Sequence, residues 1–207
     1  MASVISVVDY GIGNVGSVIN MLKHVGAEAR LASTPAEVDA ADVLLLSGVG
    51  HFGHAMNVLR ERDLVAPLKR RVNEDRVPIL GICLGMQLLG TGSEEGDAEG
   101  LGFIDARFEK ITSPPGENLK VPHMGWNVIS VKRANPILSI DGEKRFYFVH
   151  SYKAVCEEES DIIATCEYGA EFCCVYGRDN VYGTQFHPEK SHRFGMDLFR
   201  RFVEFAC

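Results

Sequence analysis

A chain of 207 residues, 46% hydrophobic and 24% charged, can bury a core of its own without disulfides or metals to staple it. Its net charge of -7 argues against a surface built for nucleic acid or anionic lipid. No apolar run approaches membrane-spanning length, the first residues carry no basic, cleavable leader, and the six cysteines include no C-x-x-C pair, so reduced thiols in the cytoplasm are expected.

Taken in order, residues 4–8 form an apolar first strand, followed at once by Asp9-Tyr-Gly-Ile-Gly-Asn-Val-Gly16. Val15, Val18, Ile19, Leu22 and Val25 then recur at helical spacing, with Gly26 as the stop. Residues 27–32 predict a second strand, and Thr34-Pro35 opens a short helix as cap and first helical residue. Residues 43–46 are a third, buried strand leading into Ser47-Gly-Val-Gly50. A helical stretch carrying Met56, Leu59, Leu64, Leu68 and Val72 follows, which Pro67 is expected to break. Residues 79–82 form a fourth apolar strand that turns into a helix at Leu84. This alternation predicts a parallel sheet with helices on both faces. Beyond Gly90 the character changes. Residues 91–102 and Pro114-Pro-Gly116 read as loops, separated and followed by short β-like runs at 103–111, 127–131, 145–149, 162–166, 173–176 and 181–186. A last helix at 195–205 closes the chain, which holds no repeat or linker and predicts one domain over 1–207.

Three stretches carry chemistry. Gly81-Ile-Cys-Leu-Gly85 is a G-x-C-x-G at a strand-to-helix junction, the cysteine counterpart of an elbow that lifts a nucleophile above a sheet edge. The flanking glycines leave room for a sharp turn, and a helix N-terminus favours thiolate. The pentapeptide alone fits a buried cysteine between packing glycines equally well. Gln185-Phe-His-Pro-Glu189 spaces an imidazole and a carboxylate by two, so an extended segment would point both the same way. The carboxylate fixes the ring's tautomer and leaves the other nitrogen to move a proton. Together these complete the order Cys83, His187, Glu189, a nucleophile, its base and the group that holds the base. Ser47-Gly-Val-Gly50 would land on the same sheet edge, where a backbone N–H could meet an oxyanion, or be an ordinary turn. Gly11-Ile-Gly-Asn-Val-Gly16 satisfies G-x-G-x-x-G, but the second strand ends without an acid for a ribose, so a nicotinamide or flavin site is not expected. His51 and His54 have no third ligand nearby in sequence and read as helix-start histidines; no metal is expected.

Gly81-Ile-Cys-Leu-Gly-Met-Gln87 with Gln185-Phe-His-Pro-Glu189 resembles the class I (triad) glutamine amidotransferases. Asp9-Tyr-Gly-Ile-Gly-Asn14, Gly48-Val-Gly50, His123-Met-Gly-Trp-Asn127, Phe148-Val-His-Ser-Tyr152 and His187-Pro-Glu-Lys-Ser191 are similar to one branch, the glutaminase subunits of imidazole glycerol phosphate synthase in histidine biosynthesis. The resemblance implies a three-layer α/β/α domain, its central sheet mostly parallel with a smaller antiparallel part. It implies a glutaminase with Cys83, His187 and Glu189 as the triad, the N–H groups of Leu84 and Val49 as the oxyanion hole, and no cofactor. Gly50, Gln87, Glu95, Ser151 and Tyr152 would surround L-glutamine. Tyr10, Asn14, Met124, Trp126, Asn127 and Lys190 would face the partner, a (β/α)₈-barrel cyclase forming a heterodimer. The family usually has proline where this chain has Ser47, which frees the oxyanion loop, and Phe-Glu where it has Gly90-Thr91. Both departures leave room for a paralogue that feeds ammonia to another synthase, such as one amidating a surface-sugar precursor. The residues alone also allow a binding module with a vestigial triad.

Overall fold

The computed structural model describes residues 4–114 and 118–207; the expected loop at Pro114-Pro-Gly116 lies, beyond Pro114, outside the described residues. The chain runs β1 (Ile5–Val8), α1 (Val15–His24), β2 (Ala29–Ala32), α2 (Pro35–Asp39), β3 (Val43–Gly48), α3 (Phe52–Glu61), α4 (Val65–Lys69), β4 (Ile79–Cys83) and α5 (Leu84–Leu89). Two short strands, β5 (Gly92–Ser93) and β6 (Ala98–Glu99), precede β7 (Ala106–Lys110), β8 (His123–Val131), β9 (Lys144–His150) and β10 (Tyr152–Cys156). The last elements are β11 (Ile162–Tyr168), β12 (Ala170–Arg178), β13 (Val181–Thr184) and α6 (His192–Ala206).

The first five strands of the sheet lie in the order β2-β1-β3-β4-β13, all parallel. β12 adds to β13 antiparallel and begins a second, antiparallel region that includes β7, β8, β9, β10 and β11. Helices α1 and α6 cover one face through Val18, Leu22, Leu198, Phe199 and Phe202. Helices α2 to α5 cover the other through Val38, Phe52, Met56, Leu59, Leu68 and Met86. Strands β1, β3 and β4 are buried at every residue, which explains their unbroken apolar runs.

Local signals place the caps as expected. Gly26 ends α1 at φ +87°, and Thr34 and Glu37 form a reciprocal capping box with Pro35 at the first helical position. The break after α3 is placed differently from expectation. The chain turns at Arg62–Leu64, with Asp63 at φ +56°, and Pro67 sits in the first turn of α4, where its missing N–H costs no helical hydrogen bond. The 91–102 loop also carries the paired strands β5 and β6.

What matters for a site is register. Gly48 pairs with Cys83 across β3 and β4, and Thr184 pairs with Ile82 across β13 and β4. The Gly48–Gly50 loop, the Cys83 turn and the segment after Thr184 therefore leave the sheet at one carboxyl edge.

Candidate active site

Cys83 is the last residue of β4 and holds φ +54°, ψ -109°, a conformation costly for any residue with a Cβ. The turn survives because its neighbours have none. A Cβ on Gly85 would stand 1.8 Å from the Leu46 carbonyl oxygen of β3, and one on Gly81 would stand 2.8 Å from the Gly85 backbone. The elbow is thus wedged against β3 with no slack, and the thiol projects above the sheet edge.

His187 follows β13 and is tied to β9 by its N–H donating to the Tyr147 carbonyl at 2.9 Å. Ser191 clamps the same junction, donating to His187 O at 2.6 Å and accepting from Tyr147 N at 3.0 Å. His187 Nδ1 lies 2.7 Å from Glu189 Oε1, both side chains buried. The segment is not extended as the spacing suggested. Pro188–Lys190 is a 3₁₀ turn, and the carboxylate reaches the ring across it. Nε2 is buried and makes no hydrogen bond to the described residues, although the Cys83 sulfur is near enough to act on the ring's titration. Burial alone would depress the ring's pKa. The neighbouring Cys83 sulfur and the hydrogen-bonded Glu189 carboxylate overcome it and raise His187 to about 10. That keeps the ring protonated, with a proton to give to a leaving group.

A cavity of about 370 Å³ opens over the thiol, lined by Val49, Gly50, Leu84, Gln87, Glu95, His150, Ser151 and Tyr152 among others. Each oxyanion and glutamine residue expected from sequence is in it. Glu95 is held by α3: the Phe52 N–H donates to its Oε2 at 2.9 Å, a carboxylate at a helix N-terminus. The Gln87 amide donates to Gln185 Oε1 at 3.2 Å, and Gln185 Nε2 in turn reaches the Cys83 sulfur at 3.8 Å. Sequence reasoning assigns Gln185 no role, although the same spacing of two that links His187 to Glu189 also links it to His187. It assigns His150 no role either, although Phe148-Val-His-Ser-Tyr152 contains it, because that stretch by itself states no chemistry.

The G-x-G of the first loop has a structural use here. Gly11 and Gly13 take φ +84° and +105°, and a Cβ on Gly13 would meet Gly48 Cα at 2.9 Å, so this loop underlies the Gly48–Gly50 loop. His51 caps α3, accepting from His54 N at 3.4 Å, and both histidines are exposed. Among the described residues no cluster of three His, Cys, Asp or Glu is placed to hold a metal. No helix there is long and apolar enough to cross a membrane.

Of the residues expected to face a partner, Met124 and Trp126 are 62% and 43% exposed, and Asn14 and Lys190 are exposed as well. Trp126 stacks on His192 at 5.6 Å, and Lys190 Nζ stands 6.0 Å from the Tyr147 ring. Asn127 is half-buried. Tyr10 must be corrected. Its side chain is wholly buried in the core beneath Gly48, where the hydroxyl occupies the space a Cβ there would need, so it offers a partner no surface.

A strained cysteine on a sheet edge, a buried His–Glu pair and a cavity over the thiol define a cysteine-nucleophile hydrolase of the triad type. The chain belongs to the class-I glutamine amidotransferase family, whose model matches residues 6–205. It is 50% identical to "Imidazole glycerol phosphate synthase subunit HisH 2" of Pseudomonas aeruginosa, covering 97% of this chain and 98% of that one. It is 44% identical to the protein of the same name from Methanococcus maripaludis, over 98% of this chain and all of that one. Among solved structures, PurLQS from Thermotoga maritima superposes with a TM-score of 0.75 at 17% identity. That match covers all of both chains, and at that identity it speaks for the fold alone.

Proposed function

We propose that this chain is the glutaminase subunit of an imidazole glycerol phosphate synthase, releasing ammonia from L-glutamine for imidazole ring formation in histidine biosynthesis. The observation that carries the chemistry is Cys83, at φ +54°, on the sheet edge that also receives the buried His187–Glu189 pair, whose two members stand 2.7 Å apart. The Cys83 thiolate attacks the side-chain amide carbon. The N–H groups of Leu84 and Val49 receive the tetrahedral oxyanion, a pair in which one donor is worth about 10²–10³ in kcat. His187 gives its proton to the departing ammonia, leaving a thioester on Cys83. The neutral ring then takes a proton from water as that water attacks, and collapse returns glutamate and the thiolate. Glu189 keeps Nδ1 as the donor throughout and stabilises the imidazolium. Glu95 serves the α-ammonium, the Ser151–Tyr152 backbone the α-carboxylate, and Gly50 and Gln87 border the amide.

Ammonia released into water is protonated and lost as a nucleophile, so the protein works docked on its synthase. A (β/α)₈-barrel cyclase is the partner, with Asn14, Met124, Trp126 and Lys190 on the docking side and Asn127 turned to the other face of β8 behind them. The reduced state of Cys83, Cys156, Cys166, Cys173 and Cys174 suits the cytoplasm. A second reading, the same chemistry feeding another acceptor, is favoured by one observation: the names of the relatives from P. aeruginosa and M. maripaludis both end in the number 2. The test is glutamine hydrolysis with and without a cyclase barrel carrying its nucleotide substrate. Strong stimulation is expected. Indifference to that barrel, with hydrolysis intact, would move the chain to the second reading, and no hydrolysis under either condition would overturn the glutaminase.

A further inference from the structure

A line of hydrogen bonds runs inward from the surface of strand β8 to the cavity over Cys83, and its direction can be worked out atom by atom. Val128 N–H donates to Asn127 Oδ1 at 2.8 Å, so the other amide atom is the NH₂ group. That nitrogen donates to Glu167 O at 2.9 Å and stands 3.3 Å from His123 Nε2. His123 Nε2 therefore accepts, and the ring's proton sits on Nδ1. His123 Nδ1 is 3.0 Å from His150 Nε2, which must accept in turn. His150 Nδ1 then carries the proton and donates to the Tyr152 carbonyl at 2.7 Å.

Every link has one possible polarity, and both rings are neutral. A proton on either would set two N–H groups against each other across 3.0 Å or 3.3 Å. The surroundings agree. Burial lowers His123 to about 4. Burial lowers His150 to about 3, helped by His123 and His187 and opposed by its bond to Tyr152 O. His123 is held between the rings of Tyr168, at 4.0 Å, and Phe148, at 4.6 Å.

The line ends on the backbone that borders the substrate cavity. His150, Ser151 and Tyr152 all line it. Ser151 O is fixed by Ile111 N at 2.8 Å, and Tyr152 O by His150. We propose that His150, held in its Nδ1-protonated form by His123 and Asn127, is a positioning residue that sets the Ser151–Tyr152 backbone to receive the glutamine head group. This rests on the glutaminase reading above. Met124 and Trp126 alternate with His123 and Asn127 on the same strand, so the outer face of β8 is solvent-facing and its inner side anchors the relay.

The test compares His123→Phe, which keeps the stacked ring but removes the donor, with His123→Asn, whose amide can replace the Nδ1–H. In the complete synthase, His123→Phe is expected to raise the KM for glutamine about tenfold, the equivalent of one lost buried hydrogen bond, with kcat within about twofold. His123→Asn should recover most of that loss, and ammonia-dependent turnover should be unchanged in both. An unchanged KM in His123→Phe, or equal losses in the two variants, would overturn the relay. A second readout is independent of turnover. Long-range ¹H–¹⁵N correlation of the histidine-labelled wild-type chain should show Nδ1-protonated rings at 123 and 150, and an Nε2-protonated ring at either would refute the proposal even if the chain hydrolysed no glutamine.

Discussion

At the scale of single residues, the site is defined by groups held where they would not rest alone. His187 is the clearest. Its pKa is raised from 6.5 to about 10, so the stabilisation it draws from Cys83 and Glu189 is fully present below about pH 6.5 and is lost as pH rises through about 10. Urea unfolding of the wild type and of His187→Gln should therefore show a wild-type advantage that shrinks between pH 6.5 and 10; a difference independent of pH would contradict the paired imidazolium. Gly85 makes a harder demand. Alanine there would drive a Cβ to 1.8 Å from the Leu46 carbonyl, and neither backbone can yield without moving the elbow. Gly85→Ala should cost about 3 kcal/mol in denaturant unfolding and abolish glutamine turnover. Retained stability would mean that the elbow is not wedged against β3. Such residues are legible in the sequence because G-x-C-x-G and His-x-Glu each state a physical requirement in a few letters. Gln185 and His150 are not, since a buried glutamine and a buried histidine acquire meaning only from what β4 and β8 bring to them.

At the scale of elements, the apolar runs of β1, β3 and β4 and the Thr34–Glu37 capping box can be read directly, because burial and capping leave compositional marks. Strand β10 cannot. Tyr152–Cys156 is half-polar and short, and it is a strand only because β7 and β12 flank it. The start of β8 is hidden for a related reason: His123 to Asn127 looks like a polar run, yet its alternate residues face inward to the His150 relay. The meeting of α3 with Glu95 is also tertiary. There the helix N-terminus holds one carboxylate oxygen and leaves the group facing the cavity and the Tyr152 ring, whose hydroxyl pKa is raised by burial and then by Glu95 and Glu94. Glu95→Gln is expected to raise the KM for glutamine by about tenfold to a hundredfold, the range for a lost charged hydrogen bond, with a smaller change in kcat. A fall in kcat at unchanged KM would place Glu95 outside the head-group subsite.

At the scale of the molecule, one parallel sheet collects three distant segments at one edge. Register does the work. Gly48 opposite Cys83 and Thr184 opposite Ile82 bring the Gly48–Gly50 loop, the thiol and the His187–Glu189 turn together, the last from more than a hundred residues beyond Cys83. The first loop supports this edge from below, with Gly13 against Gly48 and Tyr10 filling the space beneath it. Exposed Asn14 and Lys190 border one cleft with Gly48, Val49 and His187, and Trp126 stacks on His192 just beyond it, so a docked partner would meet the ground on which the Gly48–Gly50 loop stands. The most direct measurement is paired turnover of the synthase complex with Cys83→Ala. Glutamine-dependent product formation should fall by about 10⁴-fold or more, while ammonia-dependent formation stays at the wild-type rate. Undiminished use of glutamine with alanine at position 83 would contradict the account.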